Sequence, residues 1–375
     1  MALIRSGSIV KEEIFQLLSN DNLGAKKTYA LDGLRGLAVL FVIASHLSLA
    51  GMDIIPGLSL AGIGKVGVWL FFTLSSFLLT SQFISGARNV YSIENWRVYF
   101  IRRVLRIYPL YTFVLLVGLI FKGSDYFNVT GVHDFILRLF LIQAKGVEWS
   151  ILVEFRFYIV LPLIILIINS LEKLLGSKTG HNWIVIALLV LSIVLADVTR
   201  PSINITSLRP YLSTFLMGVM AAYTTVIFDE QLNALSKNIK IILDLIALTV
   251  LVIIISLSPS IYGMIVGRVI PLDYFHGRLT EFSFLWSLVI LASLYGAGVM
   301  RSILSLIGFR LIGSLSYGIY LWHPYIIKYV ENTTEWQPIY KACAVLLLVF
   351  IISNITFFLI EKPFMKVSMH KLARR

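Results

Sequence analysis

Apolar residues in this chain come in long unbroken runs rather than in the narrow stripes of a water-soluble fold. About ten of these runs are long enough to read as crossings of a hydrocarbon layer: 33–50, 65–85, 104–121, 148–170, 183–199, 208–228, 240–258, 281–299, 311–330 and 340–361. A helix rises 1.5 Å per residue, so roughly 20 residues complete one crossing. Hydrocarbon gives the backbone no hydrogen-bonding partner, so such runs must satisfy themselves as helices. The pattern therefore predicts an all-α integral membrane protein with about ten transmembrane helices. Two apolar stretches, 135–142 and 261–271, are too short to cross and read as loop or re-entrant pieces.

The basic residues between the runs set an orientation. Lys26, Lys27, Arg88, Arg97, Arg102, Arg103, Arg106, Lys173, Lys178, Lys237, Lys240, Arg301, Arg310, Lys362, Lys366, Lys371, Arg374 and Arg375 fall on one side. The other side holds fewer: Lys122, Arg138, Lys145, Arg200, Arg209, Arg268 and Arg278. Positive charge collects in cytoplasmic loops, which predicts both termini cytoplasmic, in agreement with an even number of spans. The expected organisation is a cytoplasmic tail over 1–28, one transmembrane domain over 29–364 and a basic cytoplasmic tail over 365–375. The first tail carries a short amphipathic piece between Ile9 and Leu18, and no cleavable signal peptide is visible.

Composition narrows the function classes. The chain of 375 residues is 58% hydrophobic and 14% charged, against about a quarter charged in soluble domains. Its net charge of +12, from 32 Lys and Arg against 20 Asp and Glu, is accounted for by topology, so no nucleic acid is expected as a partner. The single cysteine, Cys343, excludes a disulfide within the chain and a cysteine-based metal site. No metal and no permanently bound cofactor is expected.

Against this background the ionisable residues inside the runs stand out, because such groups are costly in hydrocarbon and normally face a protein interior or a wet cavity. In the first span, eleven helical steps separate Arg35 from His46. That is almost three turns, so both share one face about 16 Å apart along the axis. Arg35 can also be read as a residue that reaches to the interface and pairs with Asp32, and His46 as a structural imidazole. Arg103 and Arg106, with Arg102 beside them, share a helical face before the third span. Paired guanidinium forks suit phosphate, although the same residues serve as a positive-inside anchor. The fourth span opens with Trp149, Ser150, Glu154 and Tyr158 on adjoining faces, a polar stripe, with Arg156 in the same apolar segment. The ninth span carries Ser316, Tyr317, Tyr320, Trp322 and His323, and His323 reads as structural or as a pocket residue.

Together these segments resemble the acyltransferase 3 family of bacterial membrane acyltransferases over about Tyr29 to Phe364. The stretch from Tyr29 to Ala38 followed by His46 resembles the opening motif, an Arg and a His with ten residues between them. The stretch from Gly67 to Leu79 resembles the second-span motif, and Arg103 with Arg106 the Arg-x-x-Arg pair. Trp149, Ser150, Val153, Glu154, Phe157 and Tyr158 match the fourth-span motif. Ser316 to Pro324 and Glu361 to Phe364 match the closing signatures. Ser76 stands where the family usually has Gly, and Arg156 where Gln or another polar residue is commoner.

The resemblance implies an O-acyltransferase, in first place an O-acetyltransferase. It would move an acyl group from acetyl-CoA or another acyl-CoA to a hydroxyl of a cell-surface polysaccharide or glycolipid sugar. It implies residence in the bacterial cytoplasmic (inner) membrane, contact with membrane lipid, a homodimer as one possible assembly, and the stand-alone type without a fused esterase-like domain. His46 is then the expected general base or acyl carrier, assisted by Arg35 and Glu154. Arg103 and Arg106 would bind the donor, and Trp149, Ser150, Tyr158 and His323 would line the acceptor pocket. A transporter or flippase of an anionic or glycolipid substrate would also place charge within spans. It predicts internal repeats and matching broken helices, which the sequence lacks.

Overall fold

The computed structural model describes residues 23–86, 88–121, 127–175, 178–199 and 206–366. The amphipathic piece between Ile9 and Leu18, the residues beyond Lys366, Lys122 and Arg200 lie outside them. The elements are α1 (Leu23–Leu49), α2 (Gly64–Ile84), α3 (Ile93–Ile120), α4 (Val132–Leu139), α5 (Trp149–Leu175), α6 (Lys178–Thr199), α7 (Leu212–Ile227), α8 (Asp229–Asn233), α9 (Lys237–Ser256), α10 (Pro259–Val266), α11 (Leu279–Tyr295), α12 (Val299–Leu304), α13 (Ile307–Ser314), α14 (Ser316–Thr333) and α15 (Pro338–Thr356). The last helix widens to π geometry over Phe357–Glu361. Ser92 caps α3 by accepting from the backbone N–H of Asn95, Ser236 caps α9 in the same way, and Pro259 and Pro338 start α10 and α15.

Nine helices among the described residues are long and apolar enough to cross a membrane. The expected span over 311–330 differs. The chain there breaks at Leu315 between α13 and α14, and the 18 residues of α14 are too polar to count as a span by composition. Their surroundings give the reason. Ser316, Tyr320, Trp322 and His323 of α14 are buried against other helices, so the segment meets little lipid and has no need of an apolar exterior. The two stretches too short to cross form α4 and, at 259–266, α10.

At the centre of the bundle, α2 packs along α7 and α1, with α5 and α11 beside them. Phe72 of α2, Phe157 of α5 and Phe215 of α7 form a stacked series, with centroids 4.7 Å and 4.0 Å apart. The peripheral helices turn apolar side chains outward, as Ile242, Leu245 and Val252 of α9 do, which is the exterior that lipid requires.

Small residues set how closely α1 is held. A Cβ added to Gly313 would stand 1.9 Å from the carbonyl oxygen of Asp32, and one added to Gly33 would stand 1.9 Å from that of Leu304. Backbone therefore lies against backbone where α1 crosses α12 and α13, next to Arg35. Ser76 is accommodated by a similar device. Its hydroxyl bonds back to the carbonyls of Phe72 and Thr73 and faces Gly218, where a side chain would collide with it. Gly313→Ala should destabilise the protein by about 1–3 kcal/mol. The measurement is the thermal midpoint in detergent, with Gly308→Ala as control because nothing lies within 4 Å of a Cβ there.

Candidate active site

Five elements deliver polar side chains to one cavity of about 130 Å³: Arg35 from α1, Ser75 from α2, Arg103 and Arg106 from α3, Ser150, Glu154 and Tyr158 from α5, and Ser316, Tyr317 and Tyr320 from α14. The α5 residues recur every fourth position, which keeps them on one helical face. Trp149 is one step out of that phase. It does not line the cavity but packs on Phe72 and Tyr211, with the Lys65 ammonium 4.3 Å from its ring centre. The stripe read from sequence is thus Ser150, Glu154 and Tyr158 without Trp149.

Positive charge dominates the cavity. Arg35 donates to Asp32 at 2.8 Å, yet 36% of its side chain stays accessible because it faces the cavity. Arg106 lies 3.8 Å from Glu361, a carboxylate that is almost wholly buried and accepts no hydrogen bond among the described residues. The Arg103 Nε is buried and likewise without a hydrogen-bond partner there. Glu154 accepts from Ser75 at 2.5 Å and from Tyr158 at 2.6 Å. Those two hydroxyls, rather than His46, occupy its carboxylate.

His46 and His323 meet each other. Their rings stand edge to face with centroids 4.8 Å apart. The His46 Nδ1 is 2.9 Å from the Val42 carbonyl oxygen and the His323 Nδ1 is 3.1 Å from that of Ile319. A carbonyl can only accept, so each ring carries its proton on Nδ1 and keeps Nε2 as the basic atom. The His323 Nε2 is buried with no partner among the described residues. Tyr320 bridges the two parts of the site. It lines the cavity, lies 5.8 Å from the His323 ring and shares a 2.7 Å hydrogen bond with Ser150.

A second polar cluster braces the start of α5. Arg138, counted above with the loop cations, is fully buried and forks onto both oxygens of Glu148, with the Nε bond at 2.9 Å. It also reaches Asp134 at 3.3 Å and the Asn128 carbonyl at 3.1 Å. Burial opposes the Arg138 charge, but the Glu148 carboxylate outweighs it and holds the guanidinium above its ordinary range. The adjoining Val147 carbonyl accepts from Tyr320 at 2.8 Å, so the brace ends on the site. Arg156, by contrast, donates to the Thr206 carbonyl, away from the cavity lining. Sequence reading passed over Ser75 and the Arg138–Glu148 pair. Ser75 had a signal, its place in the Gly67 to Leu79 motif, whereas the pair unites side chains ten positions apart through a turn that no periodicity announces.

A family model described as an acyltransferase domain matches residues 28–358. Among curated proteins, the O-acetyltransferase OatA of Staphylococcus aureus strain NCTC 8325 is 27% identical over 367 residues, covering 90% of this chain and 57% of that protein. The proteins of the same name from strains COL and MRSA252 match to the same extent. The chain thus spans less than two thirds of the length of these relatives. No solved structure matches it.

Removing one partner of the buried brace leaves an uncompensated charge. Arg138→Met should therefore destabilise the protein by about 3–5 kcal/mol. Thermal unfolding in detergent measures this, and an unchanged midpoint would contradict the assignment.

Proposed function

The chain belongs to the acyltransferase 3 family, and from that premise we propose that it is a membrane O-acyltransferase. It takes an acyl group, in first place acetyl, from cytoplasmic acyl-coenzyme A and delivers it to a hydroxyl of a cell-surface polysaccharide or glycolipid. One observation carries this reading: three guanidinium groups converge on a cavity also lined by Tyr320, whose ring meets His323, and His323 in turn meets His46.

Arg103 and Arg106 hold the donor phosphates, for which paired guanidinium forks are suited. The flexible arm of the donor carries the thioester from these arginines past Tyr320 to the histidine pair. Arg35 stands about 16 Å along α1 from His46, too far to meet an oxyanion forming beside that ring. Its role is donor binding rather than oxyanion stabilisation. Glu154 offsets part of the positive field and, through Ser75 and Tyr158, keeps its wall of the cavity in place.

At the histidine end, the acceptor hydroxyl oxygen attacks the thioester carbonyl carbon while the His46 Nε2 takes the hydroxyl proton. The carbon–sulfur bond breaks, and the coenzyme thiolate recovers the proton from His46. In the covalent variant, the same Nε2 attacks the thioester carbon first and expels the coenzyme thiolate; the hydroxyl then displaces the imidazole, and its proton passes to the thiolate. His323 packs against His46, and the Nδ1 bonds to Val42 and Ile319 orient both rings.

His46→Ala should lower transfer of labelled acetyl from acetyl-coenzyme A by about 10²–10⁴-fold while the thermal midpoint stays near that of the parent. Retained acetylation of surface glycans in cells carrying only this variant would sink the assignment. Arg103→Ala combined with Arg106→Ala should weaken acetyl-coenzyme A binding to the purified protein by at least roughly tenfold. Unchanged donor affinity would reduce the pair to a topological anchor.

A further inference from the structure

A second cavity, of about 410 Å³, lies at the helix ends where α1 and α9 begin and α11 finishes. Lys27 of α1, Lys237 and Lys240 of α9 and Arg301 of α12 all line it, and no carboxylate does. These cations come from three separate elements, so their convergence is a product of packing and not of one basic stretch. Successive spans reverse direction, which sets this cavity at the same end of the bundle as Arg103 and Arg106.

The local partners hold these cations in place without neutralising them. Lys240 donates to the Asn233 carbonyl at 2.7 Å, and Arg301 donates to the carbonyls of Ser293 at 3.2 Å and Leu294 at 2.5 Å. Lys27 donates to the Asn233 side chain at 3.4 Å and sits 4.2 Å above the Tyr295 ring. One acid is near: Asp229, 3.9 Å from Lys27 and already accepting from the Tyr295 hydroxyl at 2.6 Å. The other acid beside the cavity wall, Asp244, is turned onto the backbone N–H groups of Gly298 and Val299 at 2.9 Å. Four cations thus face one cavity against two nearby carboxylates, Asp229 and the backbone-bonded Asp244, and Lys27 is close enough to Lys240 and Arg301 to be repelled by both. An anion with several acceptor oxygens relieves that repulsion, and phosphate has the charge and geometry for ammonium and guanidinium donors together.

We propose that this cavity binds a phosphate group, that of an anionic phospholipid headgroup. The neighbouring surface supports the lipid source. α9, which supplies two of the lysines, exposes Ile239, Ile242, Leu245 and Ile246 on the same helix, an apolar track along which acyl chains can lie. Basic pockets at helix ends hold lipid headgroups by this combination of cations and adjoining hydrocarbon.

The test uses the full-length protein in phosphatidylcholine nanodiscs, titrated with phosphatidylglycerol or, separately, with inorganic phosphate, reading the thermal midpoint. Phosphatidylglycerol should raise the midpoint saturably, and Lys237→Gln with Lys240→Gln should weaken that response at least roughly tenfold, while Lys240→Arg retains it. A response to inorganic phosphate that is equal in size and equally lost in the double variant keeps the phosphate site and assigns it to a soluble ligand. No saturable response to either probe, or an undiminished response in the double variant, overturns the proposal. The two lysines lie on exposed or half-buried turns of α9, so the double variant folds, and its midpoint in phosphatidylcholine alone verifies this.

Discussion

A guanidinium or carboxylate taken out of water loses several kcal/mol of solvation even after its surroundings relax, and this constraint organises the inner polar structure of the protein. Among the described residues, buried charges are met in three ways. Arg138 is matched by Glu148 and Asp134 in a closed brace. Asp244 is matched by backbone N–H groups at the start of α12. Arg35 and Arg106 are matched only in part, by Asp32 and Glu361, and together with Arg103 they line a cavity instead of packing into the core. The incomplete matching separates the site from the scaffold.

Close backbone packing places the site. Arg35 and His46 share one helix, so α1 carries both an arginine of the cavity and one member of the histidine pair. Gly33 and Gly313 let that helix lie against α12 and α13 with no side chain between, which fixes the position of Arg35 with backbone contacts. At the other end, α14 brings His323 edge to face with His46, and Tyr320 ties the same helix to α5 through Ser150. A single inward displacement of α14 would therefore disturb the histidines and the cavity wall together.

The helical class and nearly every crossing were legible in the runs of apolar residues, because exclusion from water acts on each span separately and needs no partner to be read. Arg35, Arg103, Arg106, Ser150, Glu154 and Tyr158 were legible as candidates for the same reason: each is a polar group where hydrocarbon penalises one. The character of α14 was not legible. Its sequence looks like a marginal span, and only its burial among other helices explains how a segment containing Ser316, Tyr320 and His323 is held within the bundle.

Sequence alone determined which residues are out of place in an apolar chain and which of them share a helical face, since both follow from local chemistry and a 3.6-residue period. Tertiary structure alone decided who meets whom. It paired His46 with His323, far apart in the chain, directed Glu154 to Ser75 and Tyr158, turned Trp149 away from the cavity, and gathered Lys27, Lys240 and Arg301 around a second one. Those meetings depend on how helices distant in sequence cross, and the crossings are set by side-chain volumes summed over whole interfaces, a quantity that no single span contains.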